Sequence, residues 1–303
     1  MKTIMYKAAD RGKGDYGWLK PNYYFSFGQY HNPNTMNFGA LRVLNDDFIA
    51  GGGAFPTHPH DNMEIVTIPF TGSLKHKDNT GGQGIIKAGD VQIMSAGTGV
   101  EHSEANGSAT DSVTLFQIWL FPKEKNIKPR YDQRTFDVAE RENKWQFVVS
   151  PNDADNALWI NQDARFALTT LEKGKELEYN NAFEGNGVFL VVINGAVKVN
   201  DIELGKRDAI GISDTDNFTI TASENAEIYA GVWRAPGLRL QHRRVLQRRR
   251  LGQRAQLAVV RVRAAGQLGG PVPSAALRSA DATWASRMLS TPRLLLHPSE
   301  SYP

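Results

Sequence analysis

Four residues in two short segments have the types and spacing of metal ligands. His58 and His60 lie in the first segment, and His102 and Glu104 lie in the second. Alternate side chains of a β-strand point to the same face, so each pair can direct both side chains into one space. Imidazole and carboxylate groups are common ligands of divalent transition metals. The two pairs therefore predict one metal site formed by two strands.

Glycines precede both pairs at similar offsets. The first motif is Gly52-x5-His58-x-His60-x3-Glu64, followed by Gly72. The second is Gly89-Asp90-x4-Ser95-Ala96-Gly97, followed by His102-x-Glu104. The offset of Glu64 suits either a further ligand or a carboxylate beside the site. His31 and His76 lie outside both motifs, and we interpret them as surface or hydrogen-bonding residues.

The segments around the motifs are typical of an all-β protein. From residue 23 to 233 the sequence consists of short apolar or alternating runs, separated by Gly, Asn and Asp, with hardly any helical periodicity. Short strands with regular turn signals predict a sandwich or barrel. The polar segment 121–143 interrupts this pattern. We therefore predict a metal-binding domain over 1–130 and a second β-domain over 131–234.

Residues 235–303 have a different composition. From Arg234 onwards there are thirteen arginines, no lysine and two acids, a net charge of +11, so the preceding body carries −8. Arginine clusters are typical of nucleic-acid-binding arms, but aromatic residues that could stack on bases are nearly absent here. We prefer an unstructured or non-native extension without a nucleic-acid partner. Truncation near Pro236 is then expected to leave melting temperature and metal content nearly unchanged.

Cysteine is absent, which excludes disulfides and thiolate metal sites, so any metal must be held by nitrogen and oxygen. No secretory signal is evident, and no run of about 18 apolar residues could span a membrane. These features predict a cytoplasmic protein, and we expect a monomer.

The sequence resembles the pirin family of the cupin superfamily. The resemblance is close over most of residues 1–140 and looser to about 230, and these segments carry it: FSFGQY from Phe25, FGALRVLNDD from Phe38, THPHDNMEIVT around His58, QIMSAGTGVEHSE from Gln92, FQIW from Phe116 and IKPRYDQRTF from Ile127. Ser95 stands where the general cupin pattern has proline. The tail departs from the family, whose members end shortly after the last strand.

This resemblance implies two jelly-roll barrels in tandem, of which the second is degenerate. It places the metal ligands at His58, His60, His102 and Glu104, with Glu64 present but not a usual pirin ligand. It also implies a quercetin 2,3-dioxygenase activity on flavonols with O₂. The alternative is a metal-dependent or redox-sensing interaction protein that binds a protein partner without turnover, and another cupin reaction such as isomerisation ranks third.

The chemistry of the predicted ligands limits which metal ions suit the site and which residue can act as the catalytic base. Three imidazoles and one carboxylate suit Fe(II), Mn(II), Co(II), Ni(II) or Cu(II), and the resemblance favours Fe(II). Glu104 is the only evident base among the four ligands, because a neutral imidazole bound to a metal carries a proton on its free nitrogen. We therefore predict Glu104 as the catalytic residue.

Overall fold

The computed structural model describes residues 1–181, 183 and 185–234. The predictions about the arginine-rich tail, residues 235–303, lie outside the described residues. Within the described part, strands alternate with turns, and the helices are three short 3-10 turns at Ala8–Asp10, Val138–Arg141 and Asp153–Asp155. No helix of this part is both long and apolar enough to cross a membrane. The all-β prediction is confirmed.

The strands are numbered in chain order. The first twelve are β1 (Lys2–Tyr6), β2 (Gly12–Lys13), β3 (Leu19–Tyr23), β4 (Leu41–Ile49), β5 (Ala54–His60), β6 (Glu64–Thr71), β7 (Ser73–Asp78), β8 (Gln83–Lys87), β9 (Asp90–Ser95), β10 (Val100–Asn106), β11 (Val113–Leu120) and β12 (Arg130–Thr135). The next ten are β13 (Gln146–Ser150), β14 (Leu158–Trp159), β15 (Ala164–Leu171), β16 (Glu176–Asn180), β17 (Asn186–Asn194), β18 (Val197–Val199), β19 (Ile202–Leu204), β20 (Ala209–Ser213), β21 (Asn217–Ala222) and β22 (Ala226–Arg234).

Each half of the chain forms a barrel from a seven-stranded and a four-stranded sheet. The first barrel has the strand orders β12-β9-β6-β11-β4-β3-β2 and β5-β10-β7-β8. The second has the orders β1-β20-β17-β22-β15-β13-β14 and β16-β21-β18-β19. Nearly all of these pairings are antiparallel, the exception among the named strands being β13 with β14. Two cupin-type barrels in tandem are therefore confirmed.

The strand pairing refines how the two halves share the chain. Strand β1 pairs with β20, so the N-terminal segment completes the sheet of the second barrel. Strand β12 pairs with β9 in the first barrel, although it begins at Arg130. The linear division into 1–130 and 131–234 stays a prediction, and these two strands show where the spatial barrels depart from it. Long-range pairing of this kind leaves no local signal in the sequence.

The two seven-stranded sheets pack against each other and share one apolar core. Phe38 of the first half contacts Phe189 and Trp233 of the second, with ring centroids 5.6 and 6.3 Å apart. The indole nitrogen of Trp233 donates to the Phe38 carbonyl at 2.7 Å. A Cβ at Gly211 would lie 2.5 Å from the Phe38 ring, so only glycine permits this approach. Burial of an aromatic side chain stabilises by about 2–3 kcal/mol, which makes this contact a main link between the barrels.

The interiors of the two barrels differ in chemistry. The second barrel is filled by a cluster of aliphatic and aromatic side chains that includes Tyr179, Leu190, Ile212 and Phe218. The first barrel also buries polar groups, among them His58, His76, His102 and Glu104. A buried polar group costs stability unless it has a partner. The buried histidines and carboxylates therefore indicate that the functional site lies in the first barrel.

Candidate metal centre

Three of the predicted ligands are brought together by the pairing of β5 with β10. His58 and His60 alternate along β5, and both are buried on the face that points into the barrel. His102 of β10 lies directly opposite His58 in the antiparallel register. The Nε2 atoms of His60 and His102 are 2.9 Å apart. One ligand nitrogen from each ring lies within 4.8 Å of the others, a spacing suited to a single ion.

Glu104 points into the same interior because it alternates with His102 along β10, next to an irregularity in the pairing with β5. Opposite β5 the pairing shifts between His102, which faces His58, and Glu104, which faces Phe55. Such irregularities re-aim side chains near functional sites. Glu104 lies in a second group with His76 and His102, again within 4.8 Å of one another. Gln117 of β11 directs its amide nitrogen to both carboxylate oxygens of Glu104 at 3.4 Å.

His76 lies outside both motifs, and of the two alternatives expected for it, a surface or a hydrogen-bonding residue, the structure shows the second, in a buried position beside the predicted ligands. Its Nδ1 atom lies 3.4 Å from Nδ1 of His102, and its Nε2 atom lies 2.9 Å from Oδ2 of Asp78. Strand β7 carries His76 and pairs with β10, so His76 faces Glu104 in the register. His31, by contrast, is exposed, as expected.

The electrostatics of the site favour neutral imidazoles. Burial lowers the pKa of His60 to about 3, with a smaller effect from the charge of His58. Burial and three neighbouring histidines lower the pKa of His102 to about 2. A neutral imidazole is the form that binds a metal. Nδ1 of His58 lies 2.8 Å from the Pro56 carbonyl oxygen. A neutral ring that donates its Nδ1–H to this carbonyl has its lone pair on Nε2.

Burial acts on Glu104 in the opposite direction. It raises the pKa of the carboxyl to about 7, and the hydrogen bond from Gln117 opposes this shift. A cation beside the carboxylate would lower that pKa, because an opposite charge favours the ionised form. Three neighbouring neutral imidazoles and a buried carboxylate thus form a donor set that fits a divalent transition metal.

Glu64 lies apart from both groups of potential ligands. Its side chain is fully buried, and Oε2 accepts from Ser95 Oγ at 2.8 Å and from the Asn161 backbone N–H of the second half at 3.1 Å. Oε1 is buried and has no hydrogen-bond partner among the residues that the structure describes. The structure therefore supports the second alternative for Glu64, a carboxylate in the core beside the site. Ser95, which replaces the usual cupin proline, supplies one of its two hydrogen bonds.

Replacing Glu64 by Gln is expected to stabilise the protein in a pH-dependent way. Burial raises the pKa of Glu64 to about 7, while Ser95, Asn161 and Arg130 act against this shift. The folded state therefore holds the proton more tightly than the unfolded state, so wild-type stability falls as pH rises from about 4.5 to 7. Unfolding at pH 5 and pH 8 should show the variant gaining roughly 2–3 kcal/mol more at pH 8. The exposed Glu140→Gln is the control, and an equal change at both pH values would contradict the prediction.

An open cavity of about 780 Å³ adjoins the cluster on the His60 side. Its lining combines aromatic and apolar side chains with charged ones: Phe27, Met63, Trp119 and Phe121 lie on it together with Arg42, Asp61 and Glu101. The ring of Trp119 meets His60 edge-on, with centroids 4.8 Å apart, and Phe27 packs edge-on against Trp119 at 5.3 Å. Such a concave space, lined by both apolar and polar side chains, is typical of a small-molecule site.

We predict one metal ion per chain, held in the first barrel. Both groups of potential ligands found among the described residues lie there. Between Glu104 and His242 the sequence contains no histidine, so the second barrel cannot supply an imidazole. Elemental analysis of the metal-loaded protein should return one equivalent. Two equivalents bound inside the barrels would contradict this prediction.

The fold and the cluster define a bicupin with a metal-site geometry in its first barrel. Residues 6–120 match the family described as pirin, and residues 147–229 match the quercetinase C-terminal cupin domain. A protein named quercetin 2,3-dioxygenase from Escherichia coli K12 is 40% identical over 222 residues, which cover 73% of this chain and 94% of that protein. A pirin-like protein from Caulobacter vibrioides is 44% identical over 219 residues, 72% of this chain and 93% of that protein. This chain belongs to the pirin family.

A solved structure agrees with this assignment. The bacterial pirin YhhW from Escherichia coli in complex with nickel(II) superposes with a TM-score of 0.73 at 38% identity, covering 77% of this chain and 99% of that chain. The nickel(II) complex shows that a protein of this fold binds a transition metal. For the present chain, the cluster of His58, His60, His102 and Glu104 is a site that could hold one.

Proposed function

We propose that this protein is a metal-dependent dioxygenase that acts on flavonols such as quercetin. The observation that carries the proposal is the open cavity lined by His60, Phe27 and Trp119, because a site that only sensed a metal would not need it. The names of the relatives support the same activity. We further propose that the protein works as a monomer in the cytoplasm.

His58, His60, His102 and Glu104 would hold the metal, and Fe(II) is our first choice, with Mn(II), Co(II), Ni(II) or Cu(II) also suited to this ligand set. When bound, such an ion would act as a Lewis acid towards the 3-hydroxyl oxygen of the flavonol. The protein's own task is to position the substrate and to move its proton. Each task falls to different residues.

The cavity wall can hold the flat ring system of a flavonol. Trp119 and Phe27 offer aromatic faces and edges beside His60, and burial of an aromatic ring contributes to binding beyond area alone. Glu104 would accept the 3-hydroxyl proton on a carboxylate oxygen, since a flavonol must lose that proton before it can donate electrons efficiently. Gln117, which donates to both oxygens of Glu104, would hold the carboxylate in place.

Oxygen uptake by purified, metal-loaded protein with a panel of flavonols tests the proposal. We expect uptake that requires both the metal and the flavonol. A flavone without the 3-hydroxyl is the matched substrate control and should give none, because it has no proton for Glu104 to accept. If fully loaded protein consumes no oxygen with any flavonol, the dioxygenase proposal fails. The metal-dependent interaction protein then takes its place.

A further inference from the structure

A chain of hydrogen-bonding groups leads from the candidate ligand His102 to a buried carboxylate. Nδ1 of His102 lies 3.4 Å from Nδ1 of His76, and Nε2 of His76 lies 2.9 Å from Oδ2 of Asp78. The side chains of His76 and Asp78 are both fully buried. The chain leaves from the ring nitrogen of His102 that points away from His60. It can therefore influence a metal ligand without touching the metal.

Asp78 acts only as an acceptor in this chain of hydrogen bonds. Its Oδ1 atom accepts from the backbone N–H of Thr80 at 2.8 Å, from the Thr80 hydroxyl at 2.7 Å and from the backbone N–H of Gly82 at 2.9 Å. A carboxylate surrounded by donors has no proton to give. The 2.9 Å contact with His76 therefore requires the proton to lie on Nε2 of His76.

This constraint passes along the chain to His102. With its proton on Nε2, the neutral ring of His76 has a lone pair on Nδ1. That lone pair can accept a hydrogen bond only if Nδ1 of His102 carries a proton. Nε2 of His102 then has the lone pair, and this atom is the one that lies 2.9 Å from Nε2 of His60. A ring with its lone pair at Nε2 is ready to bind a metal there.

The surrounding structure fixes the orientation of these groups. The ring of Tyr131 stacks on the ring of His76, with centroids 4.7 Å apart and planes 25° from parallel. Position 82 must be glycine, because a Cβ there would lie 2.8 Å from Cβ of Tyr131 and would collide with Oδ2 of Asp78. The imidazole of His76 is thus held against both rotation and displacement.

We propose that Asp78 and His76 are positioning residues that select the Nδ1–H tautomer of His102 and thereby present an unprotonated Nε2 to the metal. The inference rests on the metal-binding part of the proposed function and is independent of turnover. It has a parallel within the site, since the Pro56 carbonyl selects the same tautomer of His58. Carboxylates and carbonyls that orient ligand histidines commonly change metal affinity 10- to 100-fold when altered.

The first test uses the metal-free wild-type protein. Nitrogen-15 NMR of histidine-labelled protein distinguishes the two neutral tautomers, and His76→Gln and His102→Gln assign the two signals. We expect the proton on Nε2 of His76 and on Nδ1 of His102. A proton on Nε2 of His102 would overturn the proposal. The tautomers are read from the wild-type protein, and the two variants serve only to assign its signals.

The second test is Asp78→Asn, which should reverse the tautomers. The backbone N–H groups of Thr80 and Gly82 still require an oxygen, so the amide nitrogen must take the place of Oδ2 and donate to Nε2 of His76. His76 would then carry its proton on Nδ1, and His102 would carry its proton on the metal-facing Nε2. We expect Ni²⁺ affinity, measured by calorimetry, to fall roughly 10- to 100-fold.

The control is Asp132→Asn, which removes one negative charge from a half-exposed side chain of the same barrel that pairs with Arg130. It should leave Ni²⁺ affinity and both tautomers unchanged. An Asp78→Asn protein that binds Ni²⁺ as tightly as Asp132→Asn would overturn the proposal. If the tautomers and affinities follow the expectation but no flavonol is oxidised, the dioxygenase proposal fails and this inference stands.

Discussion

Replacing His102 by alanine is expected to strip the metal from the protein and abolish oxygen uptake. His102 is the residue common to both groups of potential ligands, and it is 2% exposed, so its imidazole lies entirely within the site. Its loss leaves His58 and His60 on one strand, without a partner from β10 except Glu104. Metal content after dialysis, with oxygen uptake on the same sample, measures the effect. His58→Ala should give the same result.

The matched control is His31→Ala, which removes an exposed histidine from the same half of the chain. It should retain one metal equivalent and full oxygen uptake. Circular dichroism of the metal-free variants separates loss of the ligand from loss of the fold. A folded His102→Ala protein with wild-type metal content would show that the predicted ligand set is wrong.

Replacing Glu104 by Gln is expected to separate metal binding from catalysis. Three histidines remain, so the variant should keep substantial metal, while turnover falls roughly 10²-fold or more, the usual scale for loss of a general base. The glutamine keeps the size of the side chain and one oxygen that can accept from Gln117. Turnover and metal content should be determined on the same preparation, with the exposed Glu140→Gln as the control.

The pH profile gives this prediction a second readout. A base must be deprotonated to act, so wild-type turnover should fall as pH drops through the pKa of Glu104. Burial raises that pKa to about 7, and a bound cation would move it lower, so the acidic limb is expected at or below about pH 7. The limb should be absent from Glu104→Gln. A variant with wild-type turnover would show that another group accepts the proton.

Features that depend on residues close together in the sequence were predictable from it. The alternation of His58 with His60 places both side chains on one face of any strand, and the short β-segments predict barrels whatever their order. The spacing of His102 and Glu104 repeats the same rule, although the register shift between them has no signal of its own. The resemblance to pirins supplied the family and the degenerate second barrel.

Features that depend on strand pairing were not predictable in this way. His76 lies on a strand of its own, with no second histidine at the alternate position, and only the pairing of β7 with β10 brings it to His102. Asp78, at that alternate position, is the signal that could have pointed to a functional role. Glu64 follows the first motif closely, yet it turns towards Asn161 of the second half, because its strand belongs to the other sheet of the barrel.

The N-terminal strand gives the chain an unusual order of assembly during synthesis. Lys2 to Tyr6 are synthesised long before their partners in the register, Ser213 to Ala209, which lie near the end of the described residues. The ion pair between Lys2 and Asp214 likewise joins residues 212 positions apart. Closing so long a loop is entropically costly and delays the contact, so this edge of the second barrel stays open until β20 has been made. Strand β1 therefore pairs late in folding. A bulky fusion at the N-terminus would interfere with this pairing, which completes the second barrel.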